Sequence, residues 1–127
     1  MDYGYSTKLN IPFAKAVDKT IAVFKEQGFG VLTDIDVKET LKNKLNVDFK
    51  QYRILGMCNP PRAYRALQAE EKIGLLLPCN VIIYEKDNAV IVAAIKATAA
   101  FKIIDNKKIE PMAQEVDLIL ENTIKNL

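Results

Sequence analysis

Between Asn80 and Ile95 two β-rich runs flank Glu85-Lys86-Asp87-Asn88, and this segment constrains the fold more than any other. Asp and Asn tolerate the positive φ of a tight turn, so the stretch reads as a hairpin with strands Asn80 to Tyr84 and Ala89 to Ile95. The second strand, Val90-Ile91-Val92-Ala93-Ala94-Ile95, is apolar at every position rather than at every other one. Such a strand fits a place with both faces covered, either centrally in a sheet or against a partner subunit. The rest of the chain has to be arranged around this antiparallel pair.

The earlier segments alternate strand and helix signals. Asp2 to Lys8 alternates around Tyr3, Tyr5 and Thr7, and Asn10 with Pro12 then marks a helix start. Phe13, Val17, Ile21 and Phe24 recur at three- and four-residue spacing, and Gly28 closes that helix with a residue that accepts the left-handed conformation. Gly30 to Ile35 is a short strand leading into an Asp36-x-x-Glu39 capping box and a second helix carrying Val37, Leu41 and Leu45. Tyr52 to Met57 is a third strand, stopped at Asn59-Pro60-Pro61, where Asn caps a short helix through Leu67 and proline fills its first turn. Ile73 to Pro78 is apolar but carries Gly and Pro, and reads as a buried connection. After the hairpin come a short helical piece near Thr98 to Ile103 and a long amphipathic helix with Met112, Val116, Ile119, Leu120, Ile124 and Leu127 on one stripe. Pro111 belongs near its first turn. The order β-α-β-α-β-α-β-β-α predicts an α+β fold, a mostly antiparallel sheet backed by helices.

Residues 1–127 are the length of one domain. A chain 50% hydrophobic and 27% charged is neither disordered nor low in complexity. Eighteen basic residues against sixteen acidic ones give a net charge of +2, too weak a field for a dedicated nucleic-acid binder. Met1-Asp2-Tyr3-Gly4-Tyr5 has no basic region followed by an apolar stretch, and the run Ala89 to Ile95 is far short of the roughly 20 residues that span a bilayer. A cytoplasmic protein without a membrane partner is expected, with Cys58 and Cys79 reduced.

The chain has no His, which removes the Ser-His-Asp constellation and the His ligands of most catalytic zinc sites. Cys58 lies between a strand end and a helix start, where free backbone N–H groups and the positive helix end would favour a thiolate. Cys79, in Pro78-Cys79-Asn80, sits at a strand entrance. If the two Cys-Asn elements face each other across the sheet end, they could form a redox couple, half of a metal site, or a nucleophile with its neighbour; the alternative is two buried apolar fillers. The chain offers two thiols without a close C-x-x-C pair, so a closed zinc site would need two subunits or added carboxylates. Asp34 and Asp36 share one side of a strand and could serve acid–base work, or one could cap a helix while the other is solvated. Arg53, Arg62 and Arg65 are the only arginines, clustered near the Cys58 helix start; they suit either a small anionic ligand or surface ion pairs. Tyr52 and Tyr64 could close such a pocket or pack in the core. Gly28-Phe29-Gly30 lacks the third glycine of a dinucleotide loop.

The run Gly28 to Lys38, with Tyr52-Arg53-Ile54-Leu55-Gly56, Cys58-Asn59-Pro60, Ala66-Leu67 and Ile73 to Val81, resembles the domain of unknown function 302 family, and the match continues through the final helix. The resemblance implies a compact α+β fold and a homodimer, with no established activity, substrate or cofactor. It singles out Asp36, Lys38, Arg53, Gly56, Cys58, Asn59, Pro60, Pro78, Cys79 and Asn80, none with a catalytic role to transfer, and Arg62 falls outside it. Two main expectations follow. One is a cytoplasmic homodimeric module that holds a small molecule, metal or redox-active species near Cys58, Asn59, Cys79 and Asn80, with Arg53 as a further ligand-binding residue. The other is a cysteine-dependent enzyme with Cys58 as nucleophile, Cys79 assisting, Asp36 or Lys38 moving a proton and Asn side chains orienting substrate. A purely structural dimer with inert thiols is the third alternative.

Overall fold

The computed structural model describes residues 2–127; Met1, the first residue of the chain start read above for an export signal, lies outside them. Five strands form one antiparallel sheet in the order β1-β5-β4-β3-β2: β1 (Gly4–Leu9), β2 (Gly30–Asp36), β3 (Tyr52–Cys58), β4 (Cys79–Lys86) and β5 (Ala89–Ile95). Among the described residues five α-helices accompany it: α1 (Phe13–Glu26), α2 (Val37–Leu45), α3 (Pro60–Ala69), α4 (Ala97–Ala100) and α5 (Ile109–Lys125). Short 3₁₀ turns occupy Glu71–Leu76 and Phe101–Ile103. The expected α+β class and element order are present. No helix among the described residues is long and apolar enough to cross a membrane.

The hairpin is tighter than the sequence suggested. Lys86 pairs with Ala89, so the turn is Asp87-Asn88 alone, both at positive φ (51° and 63°), a type I′ geometry whose twist matches the strands it joins. Strand β4 thereby gains Glu85 and Lys86. Along β3, β4 and β5 one side is sealed: Leu55, Met57, Val81, Ile83, Val90, Val92 and Ala94 pack under α1 and α5 with Ala16, Val17, Phe24, Leu120 and Ile124. The alternate side chains, Ile54, Ile82, Ile91, Ala93 and Ile95, are only half-buried and belong to no core cluster. The continuous apolar run of β5 thus reflects one covered face and one open apolar face.

Helix ends carry much of the local order. Helix α1 ends in a Schellman motif, the Phe29 N–H bonding Phe24 O at 2.9 Å and the Gly28 N–H bonding Lys25 O at 3.0 Å, with Gly28 at φ 87°. Asp36 caps α2, its carboxylate accepting from the Glu39 N–H at 3.0 Å, as the capping box requires. Helix α5 begins two residues before Pro111, which therefore sits in the first turn where its missing N–H costs nothing; Leu127, expected on its stripe, lies beyond its end. The stretch Ile73 to Pro78 departs from a buried connection: it is mostly a 3₁₀ turn in which Ile73 is sealed but Leu75 is 85% exposed.

Asp117 ties α5 to the end of β5. It is 7% exposed, accepts from the Ala97 N–H at 2.6 Å, and takes the Thr98 hydroxyl at 2.5 Å, so a carboxylate from a distant helix caps α4. Asp117→Ala leaves those donors buried without a partner and is expected to lower the unfolding free energy by about 2 kcal/mol, read as a shifted urea midpoint at unchanged slope.

Candidate functional site

A cavity of about 360 Å³ opens where the ends of β3 and β4 meet α3, the 3₁₀ turns and α5. Its walls include Phe29, Met57, Ala66, Ile73, Leu77, Phe101, Ile109 and Met112, and both cysteines lie in its lining. The sheet register explains the convergence. Met57 pairs directly with Cys79, which places both at the ends of β3 and β4, and Cys58, the last residue of β3, joins the same cavity lining from the strand end rather than from the sheet face. Phe29 reaches this wall because the Schellman motif turns the chain back under α1. A register shift between Val31 and Thr33 leaves Leu32 as the extra residue of a bulge, and Leu32, 66% exposed, lies on the rim.

The Cys58 turn is held by side-chain packing. Asn59 caps α3, its Oδ1 accepting from the Arg62 N–H at 3.2 Å, and a Cβ added to Gly28 would come within 2.9 Å of its Nδ2. Gly56 sits under Pro78, and an added Cβ there would meet Pro78 Cγ at 2.6 Å and collide with Thr33 Oγ1. These contacts bind together the turns bearing Cys58 and Cys79.

The electrostatics differ from the sequence expectation at Cys58. Pro60 and Pro61 have no N–H, the Arg62 N–H goes to Asn59 Oδ1, and the Ala63 N–H goes to Asn59 O at 2.9 Å. All the donors of the first helical turn are therefore absent or engaged, and free N–H groups do not stabilise a thiolate at this helix start. Cys79 is 9% exposed; burial first, and then the neighbouring Cys58, push its thiol up to about 11 from an ordinary 9.0. Cys79 stays protonated at neutral pH.

The remaining expected residues divide by position. Asn59 lines the cavity; Asn80 does not, because it pairs with Gly56 on the open face of the sheet, exposed to solvent. Arg53 lies five strand residues from Cys58, roughly 17 Å away at ~3.4 Å per residue, and its guanidinium pairs with both oxygens of Asp34. Asp36 pairs opposite Arg53 at that same far end, and Lys38 Nζ donates to Phe49 O at 2.8 Å. The structure thus brings together Cys58, Asn59 and Cys79, and separates from them Asp36, Lys38, Arg53 and Asn80. A proton cannot pass from Asp36 or Lys38 to Cys58 over that distance, so the expected acid–base partnership is corrected. Tyr52 stacks on Tyr84 on the open face, ring centroids 5.3 Å apart, and Tyr64 is exposed; neither closes the cavity. Arg62 and Arg65 do lie at the cavity, Arg62 in a loose ion pair with Glu115 at 3.7 Å. No cluster of three or more His, Cys, Asp or Glu side chains suited to a metal occurs among the described residues.

The profile of the family described as "Domain of unknown function DUF302" matches residues 5–127, nearly the whole chain. The chain belongs to the DUF302 family. A solved relative agrees in fold: the crystal structure of an uncharacterized conserved DUF302 protein from Bacillus stearothermophilus is 24% identical, covers 98% of both chains and superposes with a TM-score of 0.91. No curated protein matches the chain. The DUF302 resemblance read from the Gly28 to Lys38 run and the Cys-Asn elements is therefore confirmed, and the fold those elements imply is the one observed.

Proposed function

We propose that this DUF302 chain is a cytoplasmic homodimeric binding module whose cavity beside Cys58, Asn59 and Cys79 holds a small molecule. The observation that carries this reading is the cavity itself: about 360 Å³, within the range of small-ligand sites, and lined by apolar side chains with a few polar groups among them. The lining supplies no Asp, Glu, His or Lys, so a nucleophilic Cys58 has no general base beside it. Binding is therefore the better reading of this site than cysteine catalysis.

The open face of the sheet supports self-association. Ile54, Ile82, Ile91, Ala93 and Ile95 form a contiguous apolar surface, with the Tyr52–Tyr84 stack at one end. These residues lie on β3, β4 and β5, and three strands ~4.8 Å apart and ~20 Å long present a face on the order of 300 Å², the size at which an exposed apolar patch is often functional. A second copy laid on it by a two-fold axis brings like surface to like, which an apolar patch tolerates and a charged one does not.

Native mass spectrometry of the purified protein tests both parts. The expected result is a dimer carrying a retained small molecule, lost on unfolding. A monomer at micromolar concentration overturns the dimer. The binding reading falls if no ligand is retained and if Cys58→Ser alters neither ligand uptake nor thiol reactivity.

A further inference from the structure

The cavity's chemistry is lopsided in a way that names its ligand class, and the inference rests on the binding reading above. Its lining is almost wholly apolar, yet contains two formal charges of the same sign, Arg62 and Arg65, and no acid, although the chain has sixteen Asp and Glu. The Arg62 side chain is 27% exposed and its one ion-pair partner, Glu115, is a loose 3.7 Å away and itself 54% exposed. Arg65 makes no ion pair among the described residues. Asn59 has its Oδ1 engaged by the Arg62 N–H and its Nδ2 against Gly28, and the helix start offers no backbone donors because of Pro60 and Pro61. Recognition of an anionic group there falls to the two guanidinium groups, which present fixed donor forks suited to carboxylate or phosphate, with the Asn59 Nδ2 as a further neutral donor in the lining. The cavity as a whole, about 360 Å³, has room for on the order of a dozen non-hydrogen atoms, head included, at ~30 Å³ each.

We propose that the cavity takes a single-chain anionic amphiphile, its hydrocarbon body lying between Phe29, Ile73, Phe101, Ile109 and Met112 and its one anionic head meeting Arg62 and Arg65 at the rim. A neutral hydrocarbon would leave the partly buried Arg62 without a better partner than Glu115. A small inorganic anion would leave the apolar walls wet. An amphiphile satisfies both ends at once. Glu115 competes with the head for Arg62, so its removal strengthens binding.

Isothermal titration calorimetry with octanoate, octyl phosphate and 1-octanol, three probes of matched chain length, tests the proposal. At least one of the two anions is expected to bind tenfold or more tightly than 1-octanol, and the stronger of them identifies the head as carboxylate or phosphate. Arg62→Met with Arg65→Met keeps the apolar stems and is expected to reduce anion affinity about tenfold while leaving 1-octanol unchanged; Glu115→Gln is expected to raise anion affinity. Ala66→Phe, which fills the cavity from α3, is expected to abolish binding of all three. Equal affinities for the anions and 1-octanol overturn the anionic class but leave the cavity reading standing. Failure of all three probes to bind folded protein overturns both. Anion binding that survives Ala66→Phe places the ligand on surface arginines and overturns the proposal. Circular dichroism confirms that each variant is folded.

Discussion

Gly56→Ala is expected to destabilise the protein by about 3 kcal/mol, a large loss for one added methyl group. Gly56 is buried in β3, and its missing side chain faces the pyrrolidine ring of Pro78 and the hydroxyl of Thr33 on the neighbouring strand. The Thr33 hydroxyl can turn away by changing rotamer. The proline ring cannot, because it is closed on its own backbone, and a Cβ 2.6 Å from its Cγ must move the backbone of Pro78. Cys79 follows directly and opens β4 opposite Met57, so the displacement reaches the cavity wall. Urea unfolding should show the lowered midpoint, and 1-octanol binding should fall in parallel even in the folded fraction. Wild-type stability in Gly56→Ala would mean that the Pro78 turn yields freely and does not hold the cavity in shape.

The same region shows what local sequence carries and what it leaves out. Helix ends were legible because their causes lie within a few residues: Gly28 at positive φ, the Asp36-x-x-Glu39 box and Asn59 before two prolines all do what their chemistry dictates. The meeting of the two Cys-Asn turns was legible as a conditional, and the Met57–Cys79 register supplies the condition. The split between Cys79 and Asn80 follows from strand alternation, since consecutive residues point to opposite faces; that signal was present in the sequence once Cys79 was placed at the first position of a strand. The loss of N–H donors at the α3 start was equally written in Pro60-Pro61. The cavity walls were not legible. Phe29, Ile73, Phe101 and Ile109 come from four separate stretches and look like ordinary core residues, because an apolar side chain carries no mark of whether it borders another side chain or a void. The open sheet face was hidden for a related reason: β5 is apolar on both sides, and only the placement of α1 and α5 on one side distinguishes them.

Cys79 and Cys58 are expected to differ sharply toward iodoacetamide. Raised from 9.0 to about 11, the Cys79 thiol carries about a hundredfold less thiolate near pH 8 than it does in the unfolded chain, and the thiolate is the nucleophile. Cys79 is also sealed at 9% exposure, whereas Cys58 is partly exposed. Peptide mapping after alkylation at pH 8 should therefore find Cys58 modified and Cys79 modified only under denaturing conditions, and an apolar ligand in the cavity should slow Cys58 as well. Linkage ties the same shift to stability. In the unfolded chain Cys79 loses its proton near pH 9.0 while the folded protein keeps it to about 11, so over that window the native state binds more protons and stability declines as pH rises. Below pH 9 the contribution is fully present. Cys79→Ala removes the titrating group and should flatten the fall between pH 9 and 11, even though it costs stability at neutral pH by leaving a small void. If Cys79 alkylates as fast as Cys58 in the folded protein, the cavity opens far enough to admit water and reagent to its inner wall. An apolar chain could then hold no fixed place there.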